Sequence, residues 1–384
     1  MTKIYCTAPW NGLAIREDGH VKTCCNGGVS LGNLNNINIK DIEQSQLLKE
    51  IQQNMLNGEP DLKNCISCVK QEKNTGIASL RQHYLRYYPN VEQNNIALKC
   101  LDVRWNNSCN LGCMYCLPQF SSVWENKLLL KKSTKVKDYQ TDLLNFILEK
   151  IDQVEEIMLV GGEPMLMKQN YELIAKLPDT TKLNILTNLS YDLENLPCIQ
   201  SLLKRPETNT TWTISCENVN EQFEYVRNGA KWDQFEKNLK FLNQHWNDNV
   251  SFNMVYSMFN AFDVLDVIQT FHMLGFKKFN FQTYFGHPAM DVFAMPGPIQ
   301  QHAKECLQSS VKFHYNNIHP EDWDLYPMSN VNEIISKLND NQSFESNVTF
   351  DDFLKRIEWY DQWTDLRFRN IWPNLINLVQ QHLE

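Results

Sequence analysis

Glycine and proline are scarce, 14 of each in 384 residues. That leaves little room for long flexible linkers and none for a collagen-like chain. No apolar run approaches the 18 or more residues of a membrane span, so no membrane partner is expected. Met1-Thr2-Lys3-Ile4-Tyr5-Cys6 lacks the apolar stretch of a secretory signal, and the cytosol is the expected location. Positive charge is also short: 36 Lys and Arg against 45 Asp and Glu give a net charge of −9. This argues against nucleic acid as a partner, because non-specific binding rests on neutralising phosphates. Apolar residues at 42% and charged residues at 21% exclude a disordered chain and a coiled coil. At roughly 150 residues per domain the length predicts two or three domains.

What the chain has in excess is cysteine. Twelve fall at 6, 24, 25, 65, 68, 100, 109, 113, 116, 198, 216 and 306. In a reducing compartment clustered cysteines hold metal more often than disulfides. The first 95 residues show few periodic segments and carry five of the twelve, with turn signals at Asp18-Gly19 and Asn26-Gly27-Gly28. Asp41 to Leu56 reads as a helix burying Ile42, Leu47, Leu48 and Ile51. From residue 100 the rhythm changes. Strand-like runs occur at Leu101–Trp105, Ile157–Val160, Leu183–Leu186, Thr211–Ser215, Val250–Val255 and Phe279–Gln282. Helical stretches lie between most of them: Tyr139–Val154, Tyr171–Leu177, Trp232–Trp246 and Asp263–Leu274. Six strand–helix alternations in about 185 residues predict parallel strands with crossover helices, able to close partly into a barrel. Beyond residue 300 the chain reads as helices joined by polar loops.

Cys109-Asn-Leu-Gly-Cys113-Met-Tyr-Cys116 follows the first of these strands. Three thiolates in eight residues can chelate one cluster from one loop. A structural zinc wants four ligands, whereas three cysteines suit a [4Fe–4S] cluster with one iron left open. Zinc with a distant fourth ligand, or three buried thiols, are the other readings. The Cys-x3-Cys-x2-Cys spacing with an aromatic before the last cysteine resembles the radical S-adenosylmethionine (SAM) superfamily. The resemblance implies that Cys109, Cys113 and Cys116 bind the cluster and that SAM chelates the open iron. One electron then yields a 5′-deoxyadenosyl radical that abstracts hydrogen. It also implies that the backbone of Tyr115 approaches the adenine, and that Gly161-Gly162-Glu163-Pro164 matches the motif that meets the SAM amino group. Thr187-Asn188 resembles a Thr-Asn-Gly motif in which Leu189 replaces Gly. Ser215 becomes a ribose contact and Arg227 a partner for the SAM carboxylate. Ser215-Cys216-Glu217 stands where relatives often have Ser-x-Asp, which leaves Glu217 without an inherited role.

Cys6, Gly19 and Cys24, followed by Cys65-x2-Cys68, resemble the auxiliary-cluster (SPASM/twitch) domains of radical SAM proteins. Ala8-Pro9-Trp10, Leu31-Gly32-Asn33, Ser79 and Arg81 agree with that likeness. The resemblance implies a second [4Fe–4S] cluster on Cys6, Cys24, Cys65 and Cys68. Structural zinc is the alternative, and Cys25 could replace Cys24. A weaker likeness extends to His287–Pro296 and to Asp361 and Arg367. Cys100, Cys198, Cys216 and Cys306 have no partner spacing and read as small buried hydrophobes. If Ser215 faces the barrel lumen, then Trp212, Ile214 and Cys216 face outward. Trp359, Tyr360 and Trp363 read as helix packing.

The expected architecture is α/β: a partial (β/α)6 TIM-like barrel (96–300), a small N-terminal cysteine-rich cluster domain (1–95) and a helical C-terminal region (301–384). The expected function is a radical SAM enzyme acting on a peptide or protein, or on a sugar or other small metabolite. An electron donor such as a flavodoxin or ferredoxin would serve it. The reading from another class is a non-catalytic, zinc-stapled regulatory module.

Overall fold

The computed structural model describes residues 4–59, 62–74, 79–91, 96–129, 139–339 and 348–383. The expected domain boundary near residue 95 lies outside them. The chain divides into two compact units. One comprises Met1–Cys109, Pro118–Thr187 and Pro197–Thr211; the other comprises Asn110–Leu117, Asn188–Leu196 and Trp212–Glu384.

The first unit is built on β1 (Gly12–Ile15), β2 (His20–Lys22), β3 (Gly32–Asn33), β4 (Cys100–Val103), β5 (Glu156–Leu159) and β6 (Lys182–Thr187). They lie in the order β3-β2-β1-β4-β5-β6. The pairs β1–β4, β4–β5 and β5–β6 are parallel, and β2 is antiparallel to both β1 and β3. The second unit holds β7 (Thr210–Ser215) from Trp212 onward, β8 (Val250–Tyr256), β9 (Phe279–Thr283) and β10 (Met328–Ser329), all parallel in that order. The fold is therefore α/β with a mostly parallel sheet and the strand–helix alternation of a partial TIM-like barrel. All six expected strands are present, β4 ending at Val103 rather than Trp105.

Strands of a parallel sheet covered on both faces read as continuous apolar runs. Here β7 and β8 alternate instead. Trp212, Ile214, Val250, Phe252, Met254 and Tyr256 are buried, while Thr211, Thr213, Ser215, Ser251 and Asn253 are only half-buried. Asn280 of β9 donates to Asn253 (2.9 Å), and Asn330 donates to Asn280 (2.8 Å). One face of this half-sheet packs on helices and the other is a row of amides and hydroxyls.

The helix expected over Asp41–Leu56 is two helices, Ile39–Glu43 and Gln46–Asn57. Ser45 ends the first and caps the second, its hydroxyl accepting from the Leu48 amide at 3.2 Å, a short polar side chain competing with helix continuation. The resulting rotation leaves Leu47 exposed, while Ile42 and Leu48 are buried as expected. The helix from Tyr139 stops at Glu149 and gives way to a short 3-10 turn. The next helix starts earlier than expected, at Lys168. Trp232–Trp246 has the expected bounds.

The strands not foreseen are β1, β2, β3 and β10; β1 has four residues that are all buried and aligned with β4, Gly12 opposite Cys100. A Cβ on Gly12 would overlap the Tyr84 hydroxyl and lie 2.6 Å from the Thr23 carbonyl oxygen. Gly12→Ala is therefore expected to cost about 1–3 kcal/mol, the usual penalty of overpacking. A lower urea midpoint with an unchanged slope would show it; an unchanged midpoint would count against this close approach.

Candidate functional site

In the N-terminal segment Cys6, Cys24 and Cys65 line one cavity of about 60 Å3 with Ala8, Pro9 and Met55. Cys68 is buried beside them and couples electrostatically to Cys6 and Cys24; the Asn26 amide lies 3.9 Å from its sulfur. Cys25 does not line this cavity, and its charged neighbours are Asp102 and Arg104. Burial pushes the Cys6 thiol up to about 12, with Cys65 and Cys68 adding to the rise. Burial raises Cys24 as well, and lifts Cys25 to about 11. Thiolates this close need a cation among them to shed their protons. Among the described residues no three His, Cys, Asp or Glu side chains close on a single metal ion.

Ser79 and Arg81 meet at a residue that the sequence did not single out. Glu72 accepts from the Ser79 hydroxyl, from Arg81 Nε (2.9 Å) and from Arg81 Nη2. Arg81 Nη1 reaches the Tyr5 carbonyl at 3.1 Å. The hydrogen bond from Arg81 holds the Glu72 carboxyl below its ordinary range. Glu72 follows Cys68 by four residues and Cys65 by seven on the helix Leu62–Asn74, so all three share one face. That spacing was the available signal.

The rest of the first unit's site gathers at the ends of β4, β5 and β6. Cys109 is anchored at its backbone. Its amide donates to Ser122 Oγ (3.1 Å), which returns a bond to the Cys109 carbonyl (3.3 Å). The Glu163 amide donates to the Ser108 carbonyl at 2.8 Å, and Gly162 packs against the backbone of Asn107 and Ser108. The Glu163 side chain is fully buried. Its Oε1 accepts from the Met165 amide (3.0 Å) and from Thr187 Oγ1 (2.8 Å). Pro164 opens the short turn that follows. Cys109, Gly161–Pro164 and Thr187 thus form one constellation.

In the second unit the loop carrying Cys113, Tyr115 and Cys116 is laid along residues 226–228. The Gly112 amide donates to Asn228 O (2.9 Å) and the Met114 amide to Val226 O (2.8 Å). Asn188 donates to Asn110 Oδ1 at 2.9 Å, and Asn110 donates to Ser190 O at 2.9 Å. Leu189, standing where the motif has glycine, is buried with φ +55°. The buried Asn238 amide holds this turn by donating to the carbonyls of Leu189 (2.9 Å) and Tyr191 (2.5 Å). Ser215 ends β7 on the half-buried polar face, and Cys216 is buried behind it, its sulfur against Asn218 O at 3.1 Å.

Arg227 is buried and engaged. Its Nε donates to Glu217 Oε2 (3.0 Å), and its Nη2 donates to Glu217 Oε1 (2.9 Å) and to the Tyr115 hydroxyl (2.5 Å). Nη1 points to Cys113 Sγ at 3.9 Å. Tyr115 in turn donates to Glu217 Oε1 at 3.0 Å. Burial alone would lower the Arg227 pKa, but the Glu217 carboxylate outweighs it and holds the guanidinium charged. Sequence reasoning left Glu217 without a role, because an ion pair ten residues apart across a strand–helix junction carries no fixed spacing. Among the unclustered residues, Trp359 packs on Tyr360 and Trp363.

Residues 103–271 match the model of the radical SAM superfamily, and residues 6–69 match SPASM, an iron–sulfur cluster-binding domain. No curated protein matches the sequence. Among solved structures, anSMEcpe with bound AdoMet is 17% identical with a TM-score of 0.39; the match covers 55% of this chain and 58% of that one. SuiB from Streptococcus suis bound to S-adenosylmethionine is 16% identical with a TM-score of 0.41, over 78% of this chain and 70% of that one. SuiB bound to the precursor peptide SuiA is 15% identical with a TM-score of 0.39, over 79% and 69%. The two family matches together span more than half of the chain, in the order that the cysteine sets predict. The chain carries a radical SAM domain over residues 103–271 and, on its N-terminal side, an iron–sulfur cluster-binding SPASM domain over residues 6–69.

Proposed function

We propose that this protein is a radical SAM enzyme that abstracts a hydrogen atom from a peptide or protein substrate. Family membership brings the cofactors: a SAM-binding [4Fe–4S] cluster, SAM itself, and auxiliary iron–sulfur in the SPASM domain. The residues fit them. Three thiols sit on one backbone-anchored loop, and Cys6, Cys24 and Cys65 surround one cavity with Cys68 beside it. Cys109, Cys113 and Cys116 would hold the first cluster, and Cys6, Cys24, Cys65 and Cys68 the second. Cys24 is preferred to Cys25 because it lines the cavity. When bound, the first cluster supplies the electron that breaks the C5′–S bond of SAM.

The observation that carries the reading is Glu163. A fully buried carboxylate fixed by two neutral donors is suited to receive an ammonium, and its place at the Gly-Gly-Glu-Pro turn is where the family takes the SAM amino group. Gly161, Gly162 and Pro164 would shape that turn and Thr187 would orient the carboxylate. Asn188, Ser215 and the Tyr115 backbone would complete the SAM contacts. Arg227 differs from these expected contacts in that its guanidinium is already engaged. The row Ser251, Asn253, Asn280 and Asn330 offers amides and hydroxyls that match the donors and acceptors of a peptide backbone. A small electron carrier of the flavodoxin or ferredoxin kind is the proposed reductant.

Anaerobically reconstituted protein given dithionite and SAM is expected to release 5′-deoxyadenosine slowly without substrate. Absence of product above the level of a Cys109→Ala, Cys113→Ala, Cys116→Ala variant, at full iron content, would overturn the reading. A mass change on one member of a peptide library would identify the substrate class.

That triple variant is expected to keep about half of the wild-type iron, since two four-iron sites are proposed. Complete loss of iron would remove the N-terminal cluster from the account. Glu163→Gln keeps the bonds to Thr187 and Met165 but removes the charge. It is expected to weaken SAM binding roughly ten- to hundredfold by calorimetry, the range of a charge-assisted hydrogen bond, with iron unchanged. A Cβ on Gly162 would overlap the Ser108 carbonyl and lie 2.6 Å from the Asn107 carbonyl oxygen. Gly162→Ala is therefore expected to displace the approach to Cys109 and to lower iron content, and wild-type iron in that variant would refute this.

A further inference from the structure

Residues 226–228 run alongside residues 112–114, joined by the Gly112–Asn228 and Met114–Val226 backbone bonds. That register puts Arg227 opposite Cys113. Its side chain then grips the loop at two points, the Cys113 sulfur and the Tyr115 hydroxyl. Glu217 takes the Nε and Nη2 edge of the guanidinium and leaves Nη1 directed at the sulfur. The Val255 amide, 3.4 Å from Glu217 Oε1, fixes the carboxylate from β8. Four of the five guanidinium N–H groups are thereby committed within the protein. A fork with one N–H to spare cannot receive a carboxylate through two parallel bonds, the geometry for which arginine is favoured.

We infer that Arg227 is a positioning residue for the loop thiolate at Cys113, and that it raises the reduction potential of the iron held there, rather than serving as the anchor of the SAM carboxylate. The inference rests on the reading of Cys113 as a cluster ligand. The physical argument concerns charge. One-electron reduction adds negative charge at the thiolate-bound metal. The Glu217–Arg227 pair is neutral overall but oriented, with its positive end at the sulfur and its negative end turned away. Such a dipole favours the reduced form, and hydrogen bonds and charge at ligand sulfurs are among the recognised determinants of cluster potential. Tyr115, two residues from Cys113 and one from Cys116, ties the same pair to the backbone between the two thiols.

The test is an EPR-monitored redox titration of the reconstituted full chain without SAM, following the signal absent from the triple cysteine variant, with SAM affinity measured in parallel. Arg227→Gln alone strands a buried carboxylate and destabilises the fold, so the decisive variant is the neutral pair Glu217→Gln with Arg227→Gln. The expected result is wild-type iron, a potential shifted to more negative values, and SAM affinity within about threefold of wild type. Tyr115→Phe, which leaves the ion pair in place, is expected to shift the potential in the same direction by less. An unchanged potential together with a tenfold or greater loss of SAM affinity would overturn the inference and make Arg227 the carboxylate anchor. Loss of the barrel iron in the folded double variant would also overturn it, because the pair would then be a structural requirement of the loop. If wild-type protein shows no reducible signal that depends on Cys109, Cys113 and Cys116, the radical SAM reading itself has failed.

Discussion

The pairing of Gly112 and Met114 with Asn228 and Val226 fixes where the thiols of the loop can go. The eight-residue loop buries Leu111 and Met114, but three thiolates repel one another. Its conformation must be imposed from outside. The second unit does so with backbone hydrogen bonds, which do not depend on what the sulfurs carry. Gly229, at φ +103°, turns the chain just past this pairing, and a Cβ there would lie 3.2 Å from the Asn110 carbonyl oxygen. In the first unit the Ser122 hydroxyl performs the same task for Cys109, satisfying its amide and its carbonyl together. Each segment of the loop is thus held by hydrogen bonds that do not depend on a metal.

Charge buried in the two units follows the same logic by different means. Removing one partner of a buried ion pair costs about 3–5 kcal/mol, so Glu217 and Arg227 are held as a unit. Glu163 is buried among neutral donors instead. Those two bonds fix the carboxylate at the Gly-Gly-Glu-Pro turn. The N-terminal thiols show the converse. Burial and repulsion from neighbouring thiols raise Cys6 and Cys24, and Arg81, itself paired with Glu72, offsets only part of that at Cys6.

Much of this was legible in the chain. The six strands, the three-cysteine loop and the Gly-Gly-Glu-Pro turn are local patterns, and local patterns survive in a single sequence. The outward face of β7 followed from strand parity alone, and Trp212, Ile214 and Cys216 are buried on it. What escaped was long-range. β1 has four residues and no alternation, because it is buried on every side, so no periodicity announced it. Ser45 divided a helix that apolar spacing alone could not divide. Glu72, Ser122 and Asn238 act through partners 7 to 49 residues distant, and nothing in the sequence marks the two ends of such contacts. Cys24 and Cys25 are adjacent and chemically alike. Only the direction of the chain separates one facing the cavity from one facing Asp102 and Arg104.

The two departures from the family pattern differ in kind. At Leu189 a leucine takes the left-handed conformation, φ +55°. The left-handed conformation that glycine takes freely is kept by a leucine at a cost of roughly 1–2 kcal/mol. The buried side chain and the Asn238 clamp offset that cost. Asn188, beside it, donates to Asn110 Oδ1 at 2.9 Å. At Glu217 the backbone is ordinary and the chemistry changes. The longer carboxylate reaches the Arg227 fork, the Tyr115 hydroxyl and the Val255 amide together. It thereby engages a guanidinium that would otherwise face a ligand. A mismatch in a motif is therefore read first by asking whether the position supplies a backbone angle or a functional group. In the first case the neighbours can absorb it. In the second the neighbours are recruited by it, and what they do changes as well.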